Sequence, residues 1–324
     1  MKSDPLLSMV KSFDLSGAVF LNAEFSAPWA ITSHVTEEDC RPYMPVPRRV
    51  IAFHVIIEGE FILSMDSTPG YRQDHCVKPG DIVFLPQNSL HVLASSLGQI
   101  PLNGDDLLLP ASDSGLVQIN HQGGGAPAHF MCGFLASNAG SVPMLETLPD
   151  VLLISIESLA TRKWIEASVM MAARELTQGQ FGGGGTMPGL CELLLSEAMR
   201  SYIEQNPTPP GWLGGMAHPR VSRALARIHS QISDPPSIEA LASEAGMSRS
   251  AFVDRFTEVM QVGPRRYLLD RRMELAEALL SENNLNVAQI ATQVGYDAPE
   301  AFSRAFKRER GMSPAEWRSD LSRK

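Results

Sequence analysis

The last third of the chain repeats itself, and a repeat of this kind leaves few folds open. The segment "SIEALASEAGMSRSAFVDRFTEVMQVGPRRYL" (237–268) lays over "NVAQIATQVGYDAPEAFSRAFKRERGMSPAEW" (286–317), 49 residues apart up to a shared glycine and 50 after it. Ile238, Leu241, Ala242 and Ala245 recur as Val287, Ile290, Ala291 and Val294, both sets spaced i, i+3, i+4, i+7 on one helical face. Gly246 and Gly295 follow, where a left-handed residue that ends a helix is cheap only for glycine. A second helix then starts at a polar cap, Ser248 in one copy and Asp297 in the other. "DAPE" and "SPAE" both have the capping-box spacing of an N-cap oxygen and a Glu three residues on. Phe252 and Phe256 recur as Phe302 and Phe306 and predict an aromatic anchor for that second helix. The small Ala in the first helix lets the second cross closely, so each copy predicts a helix-turn-helix, and the chain has two.

Between them, "PRRYLLDRRMELAEALLSE" (264–282) reads as one continuous helix. Eighteen residues rise roughly 27 Å, near the ~34 Å between successive major grooves on one face of DNA. The charge is divided in the same sense. Residues 1–217 hold 11 Lys/Arg against 22 Asp/Glu, a net of −11, while 218–324 hold 16 against 14, a net of +2. Glu300, Ser303, Arg304 and Lys307 fall on the faces that the phenylalanines leave free. Arg308 and Arg310 are placed for phosphates rather than bases. A solvated helix surface or a protein-contact motif is the plainer reading of the same charges.

These residues, above all "GYDAPEAFSRAFKRERGMSPAEWR", resemble the AraC/XylS family of transcription regulators over 219–321. The resemblance implies double-stranded DNA as partner. It also implies reading positions around Ser248, Arg249, Ser250, Val253 and Asp254 in the first unit, and around Glu300, Ser303, Arg304, Lys307 and Arg308 in the second. Asp254 departs from the basic or amide residue of many relatives. A carboxylate there repels phosphate and accepts from cytosine N4.

Before the Pro/Gly-rich "NPTPPGWLGGMAHPR" (206–220), residues 19–136 show short β-rich runs, and 157–204 two helical patterns around "GQFGGGG". The stretches 98–115 and 121–127 read as loops. "VKPGDIVFLPQNSLHVL" (77–93), with Gly80, Pro86 and His91, resembles the second motif of cupin barrels. "AFHVIIEGEF" (52–61), with Gly59, looks like the hairpin of the first motif, reduced to the single ligand His54. The cupin resemblance implies a sensor barrel. A divalent metal on His54 and His91, with Cys40, His75 or Cys132 as third ligand, stands against simple hydrogen-bonded histidines. Cys132 or Cys40 as a reactive thiol stands against Cys132 as a small core residue. Two apolar helical stripes, Trp164, Ile165, Val169, Met170 and Ala173, then Leu190, Leu193, Leu194 and Ala198, serve dimerisation or pack on the barrel.

The expectation is therefore a two-domain α+β chain. Residues 1–205 form a cupin-like sensor domain (barrel 19–136, helices 157–204), 206–217 a linker, and 218–324 an all-α domain with two helix-turn-helix units. It is expected to regulate transcription as an activator answering a small molecule, metal or oxidant, with RNA polymerase and a second copy as further partners. The rival is a metal-dependent cupin dioxygenase or isomerase with a helical appendage. No run approaches 18 apolar residues, the N-terminus is too polar for a signal peptide, and the four cysteines show no CxxC pairing. A cytoplasmic protein without membrane partners is expected.

Overall fold

The computed structural model describes residues 4–11, 13, 15–41, 47, 49–68, 71–109, 116–137, 145, 148–157, 159–177, 186–206, 209, 211–234, 236–281 and 285–321. They pack as two units: a β-rich one, 15–136 with 148–202, and a helical one, 1–14 with 137–147 and 203–324.

The β-rich unit contains β1 (Leu15–Ser26), β2 (Ala30–Ser33), β3 (Arg49–Glu58), β4 (Phe61–Thr68), β5 (Tyr71–Val77) and β6 (Asp81–Leu85). It continues with β7 (His91–Ala94), β8 (Leu102–Asn103), β9 (Leu108–Leu109), β10 (Val117–Gln122), β11 (Pro127–Ser137) and β12 (Leu152–Ser155). One sheet runs β12-β6-β3-β11-β1-β10-β9 and the other β5-β4-β7-β2-β8. Both contribute to a single core, in which Phe25, Trp29, Phe61 and Phe130 pack ring on ring at 4.5–5.9 Å. A fully buried Phe contributes about 1.5–3 kcal/mol, so this cluster is what joins the two sheets.

The first-motif segment is not a hairpin. Gly59, at φ +80°, turns the chain from β3 in one sheet to β4 in the other, and a Cβ there would overlap the carbonyl oxygen of Pro127. The Pro-Gly-Asp turn likewise passes between sheets, from β5 to β6. Alternating strands flanking a glycine turn look the same whether they pair with each other or not. The stretch 98–115 carries β8, a 3-10 turn (Gly104–Leu107) and β9. These short strands form the open edge of each sheet and leave Leu102, Leu108 and Leu109 exposed; 110–115 lie outside the described residues.

Helix α1 (Pro5–Lys11) belongs to the helical unit and α2 (Glu37–Cys40) to the β-rich one. Two long helices follow the strands, α3 (Leu159–Thr177) and α4 (Thr186–Gln205). Ile165, Val169, Leu190, Leu194 and Ala198 of the expected stripes are buried, but Trp164 and Leu193 are exposed. The side chains of Met170 and Ala173 lie outside those described.

In the helical unit, the stretch expected as a linker contains α5 (Trp212–Ala217), with Trp212, Leu213 and Met216 buried and Phe13 edge-on to Trp212 at 6.2 Å. Pro and Gly mark where the chain bends, yet the apolar side chains between them still find a core. Helix α1 buries Leu6, Met9 and Val10 and packs against α6 (Val221–Ser230). The first repeat then supplies α7 (Ile238–Glu244) and α8 (Arg249–Met260), and the spacer is α9 (Pro264–Ser281). The second repeat supplies α10 (Val287–Gln293) and α11 (Pro299–Arg310), followed by α12 (Pro314–Leu321). All four repeat phenylalanines are fully buried, and Gly246 and Gly295 sit at φ +65° and +79°. Ser248 caps α8 and Ser313 forms its box with Glu316. Asp297 does not cap α11: its N-cap is Ala298, with no side-chain bond and Pro299 in the first turn, a residue whose missing N–H leaves less to cap.

Candidate nucleic-acid interface and barrel cavity

On α11 the buried row Phe302, Ala305, Phe306 turns Glu300, Arg304, Lys307 and Arg308 outward, with Ser303 half-buried. Arg304 and Lys307 carry no ion pair among the described residues. Arg308 is exposed and meets Glu309 at 2.9 Å. Arg310, expected at a phosphate, is instead half-buried against Glu277 of α9. Glu309 bonds Arg266, also on α9, at 2.7 Å. These two pairs tie the end of the second reading helix to the spacer, which the alternation of charges in "KRER" does not disclose.

The exposed residues of α8 include Arg249, Ser250, Asp254 and Arg255, with Val253 half-buried. Ser248 is exposed, and its hydroxyl accepts from the Ala251 N–H at 3.3 Å as the cap. Arg249 pairs with Glu239 at 2.8 Å and Arg255 with Glu258 at 2.8 Å. The second pair is an i, i+3 spacing readable from sequence; Arg255 was missing from the expected set.

Arg272 of α9 ties the turn of the second repeat to the segment that follows α6. Its Nε donates to the Ile232 carbonyl at 3.3 Å, and its guanidinium lies 5.4 Å from the Tyr296 ring centre. Gly295 makes this approach possible, because a Cβ there would overlap both the Arg272 Nη2 and the Ser233 carbonyl oxygen.

In the β-rich unit His54, His91 and Cys132 come together, all buried. His91 Nδ1 lies 2.9 Å from the Ser89 carbonyl oxygen, which can only accept. In a neutral ring the proton therefore sits on Nδ1 and Nε2 is bare. His54 Nε2, 2.7 Å away, must donate to it. His54 Nδ1 then accepts from the Cys132 thiol at 3.0 Å. Burial holds both rings neutral, lowering His91 to about 4 and His54 well below its usual value, the latter aided by His91. Burial also raises the Cys132 thiol and, with Asp39 and Glu37 adding to it, pushes Cys40 up to about 11, so neither is poised as a thiolate.

The histidine pair does not fit a divalent ion as it stands. The positions that would bind it face each other across a hydrogen bond, and Cys132 meets the opposite nitrogen of His54. Among the described residues no three His, Cys, Asp or Glu are grouped for a metal. His75 is on β5 across from Leu63, whose other neighbour is Leu93, two pairs along from the row of His91. Beside the trio lies a cavity of about 70 Å³ with an apolar wall that includes Leu21, Ile31 and Ile119, and with His34, Asp39 and Asp105 also lining it. Asp105 is raised by burial first and then by Asp39, Asp106 and Glu38.

A cupin family model matches residues 4–204, and a helix-turn-helix domain model matches 241–320. The HTH-type transcriptional regulator AlkR of Acinetobacter baylyi is 30% identical over 288 residues, covering 82% of this chain and 90% of the relative. An uncharacterized HTH-type transcriptional regulator of Haemophilus influenzae is 28% identical over 310 residues, covering 94% and 95%. The RCS-specific HTH-type transcriptional activator RclR of Escherichia coli is 25% identical over 270 residues, covering 83% and 84%.

Proposed function

The chain belongs to the AraC-type transcriptional regulators with an N-terminal cupin domain, and from that premise we propose that it activates transcription when its barrel takes up a small effector. It is a DNA-binding regulator of transcription, and double-stranded DNA is its partner. The assignment of contacts is ours. Arg304 reads a base edge from α11, helped by Glu300 and Ser303, while Lys307 and Arg308 neutralise phosphates. The first unit contributes through Ser248, Arg249, Ser250, Val253 and Asp254. The observation that carries this is the outward basic set on α11, opposite its buried phenylalanines.

The effector site is the cavity beside His54 and Cys132. About 70 Å³ is half the ~150 Å³ cavity that holds a benzene, so the effector has few heavy atoms. Only an effector with different affinity for two states of the chain can shift DNA binding. The hydrogen-bond run Cys132–His54–His91–Ser89 supplies a structure that such a ligand would rearrange. Activation by contact with RNA polymerase, a working dimer, a cytoplasmic location and a barrel without turnover complete the reading. The relative RclR is itself named an activator. Among the described residues no helix is long and apolar enough to cross a membrane.

The decisive experiment sequences the genomic DNA that the purified protein retains. A single enriched motif, bound with a steep salt dependence, is expected. For the barrel, His91→Ala or Cys132→Ser should change the transcriptional response and leave DNA affinity without effector as it was. Turnover of a small organic substrate, abolished by His91→Ala, would overturn the sensor reading.

A further inference from the structure

The outer face of the seven-stranded sheet presents Val55, Ile57 and Ile82, and α3 brings Ile165 to it, with Val169 also buried on the same helix. Residues 162, 165 and 169 share one helical face by their i, i+3, i+7 spacing. The first of these is Arg162, where a Leu or Ile would close the packing. A cavity of about 240 Å³ remains there, walled by Val55, Ile57, Ile82, Ile156 and Ile165. It does not overlap the lining of the barrel cavity.

The arginine is held across the mouth of this cavity. Its Nε donates to the Ile156 carbonyl, and Gly80, at φ +94°, makes room for it: a Cβ at that position would overlap the guanidinium. Gly80 is itself fixed, its N–H donating to Ile56 at 2.9 Å and its carbonyl accepting from Ile156 at 2.9 Å. The terminal nitrogens of Arg162 have no carboxylate partner among the described residues. Lys163 beside it is exposed and has no ion pair among the described residues, and Glu166, one turn on, is half-buried at the same cavity. The mouth therefore carries two positive charges and one negative, above an apolar floor.

We propose that this cavity is a second ligand site, which takes a small apolar monocarboxylate with its carboxylate on Arg162. A planar guanidinium whose two terminal nitrogens have no partner among the described residues matches a carboxylate bidentately, and a half-buried one is less screened than a surface lysine. The volume exceeds the ~150 Å³ that admits a benzene, so the apolar body has about six to ten carbons. Glu166 disfavours a second carboxylate, which limits the ligand to one.

The test titrates octanoate, 1-octanol and octylamine into the full-length protein by calorimetry, with no DNA or effector present, so its result is independent of the barrel reading. Octanoate is expected to bind at least tenfold more tightly than the alcohol, with the amine weakest. Arg162→Gln should remove the preference for the acid, and Val55→Phe should fill the cavity and remove binding of both. Equal affinity for acid and alcohol, unchanged octanoate binding in Arg162→Gln, or no octanoate binding at millimolar concentration would each overturn the proposal.

Discussion

The first reading helix holds its arginines in ion pairs within its own unit, Arg249 on Glu239 and Arg255 on Glu258, whereas α11 leaves Arg304 and Lys307 outward and unpaired among the described residues. Beneath these surfaces the two repeats share the same core features: a buried Phe pair 5.6–5.7 Å apart, a small buried Ala in the first helix, and a glycine of positive φ at the turn. Burial constrains each repeat to the same core residues, while nothing in the fold dictates the charges outside it. The difference implies a division of labour, with the second unit as the electrostatic anchor and the first as a contact that depends more on fit.

The comparison breaks most sharply at the turn glycines. Gly246 has open space around it, so Gly246→Ala should cost only the left-handed backbone penalty, about 1–2 kcal/mol. Gly295→Ala adds the overlap with Arg272 and the Ser233 carbonyl, and should cost about 3 kcal/mol or more. Denaturant unfolding of both variants measures this. Equal losses would mean that the close approach of Arg272 and Ser233 does not constrain Gly295. Arg272→Ala in the Gly295→Ala background should recover part of the loss, because the two changes share one contact.

The glycines also mark how far the sequence could be read. Periodicity announced both helix-turn-helix units and the spacer, since a buried face must recur every 3.6 residues. It assigned Gly295 its turn, but the contact with Arg272 is a tertiary fact that no local pattern carries. The same limit explains the β-rich unit. His54, His91 and Cys132 stand out in their strands as candidates, yet their order in one hydrogen-bond run follows from which sheet each strand joins. Gly59 gives no sign that the turn it makes changes sheets. The acidic partners of Arg249 and Arg310 were equally hidden, being ten and 33 residues away in sequence.

A second separation concerns α11 alone. If Arg304 reads a base edge, Arg304→Ala should lose about 1–3 kcal/mol of DNA affinity and relax preference at one position of the site. Arg308→Ala should weaken all sequences alike and flatten the salt dependence by about one unit of slope. Binding selection with each variant distinguishes the two. Sequence-independent losses from both would reduce Arg304 to a phosphate contact.

The smallest effect tests whether the ion pairs on α8 hold its arginines back. Arg255 and Glu258 are both well exposed, and an exposed pair of this kind contributes about 0.2–1 kcal/mol, so Glu258→Gln should leave stability nearly unchanged. It frees Arg255, which is then available to a phosphate. DNA affinity should rise a few-fold at low salt, and the slope of log K against log salt should steepen by about one. Removing a negative charge also raises affinity without any new contact, through the general field of the protein. The two causes separate in a cycle with Arg255→Ala. If Arg255 makes the new contact, the gain disappears in the double variant. If the gain survives there, the first unit does not keep a hidden phosphate contact, and its weaker electrostatics are a property of the whole surface rather than of one pair.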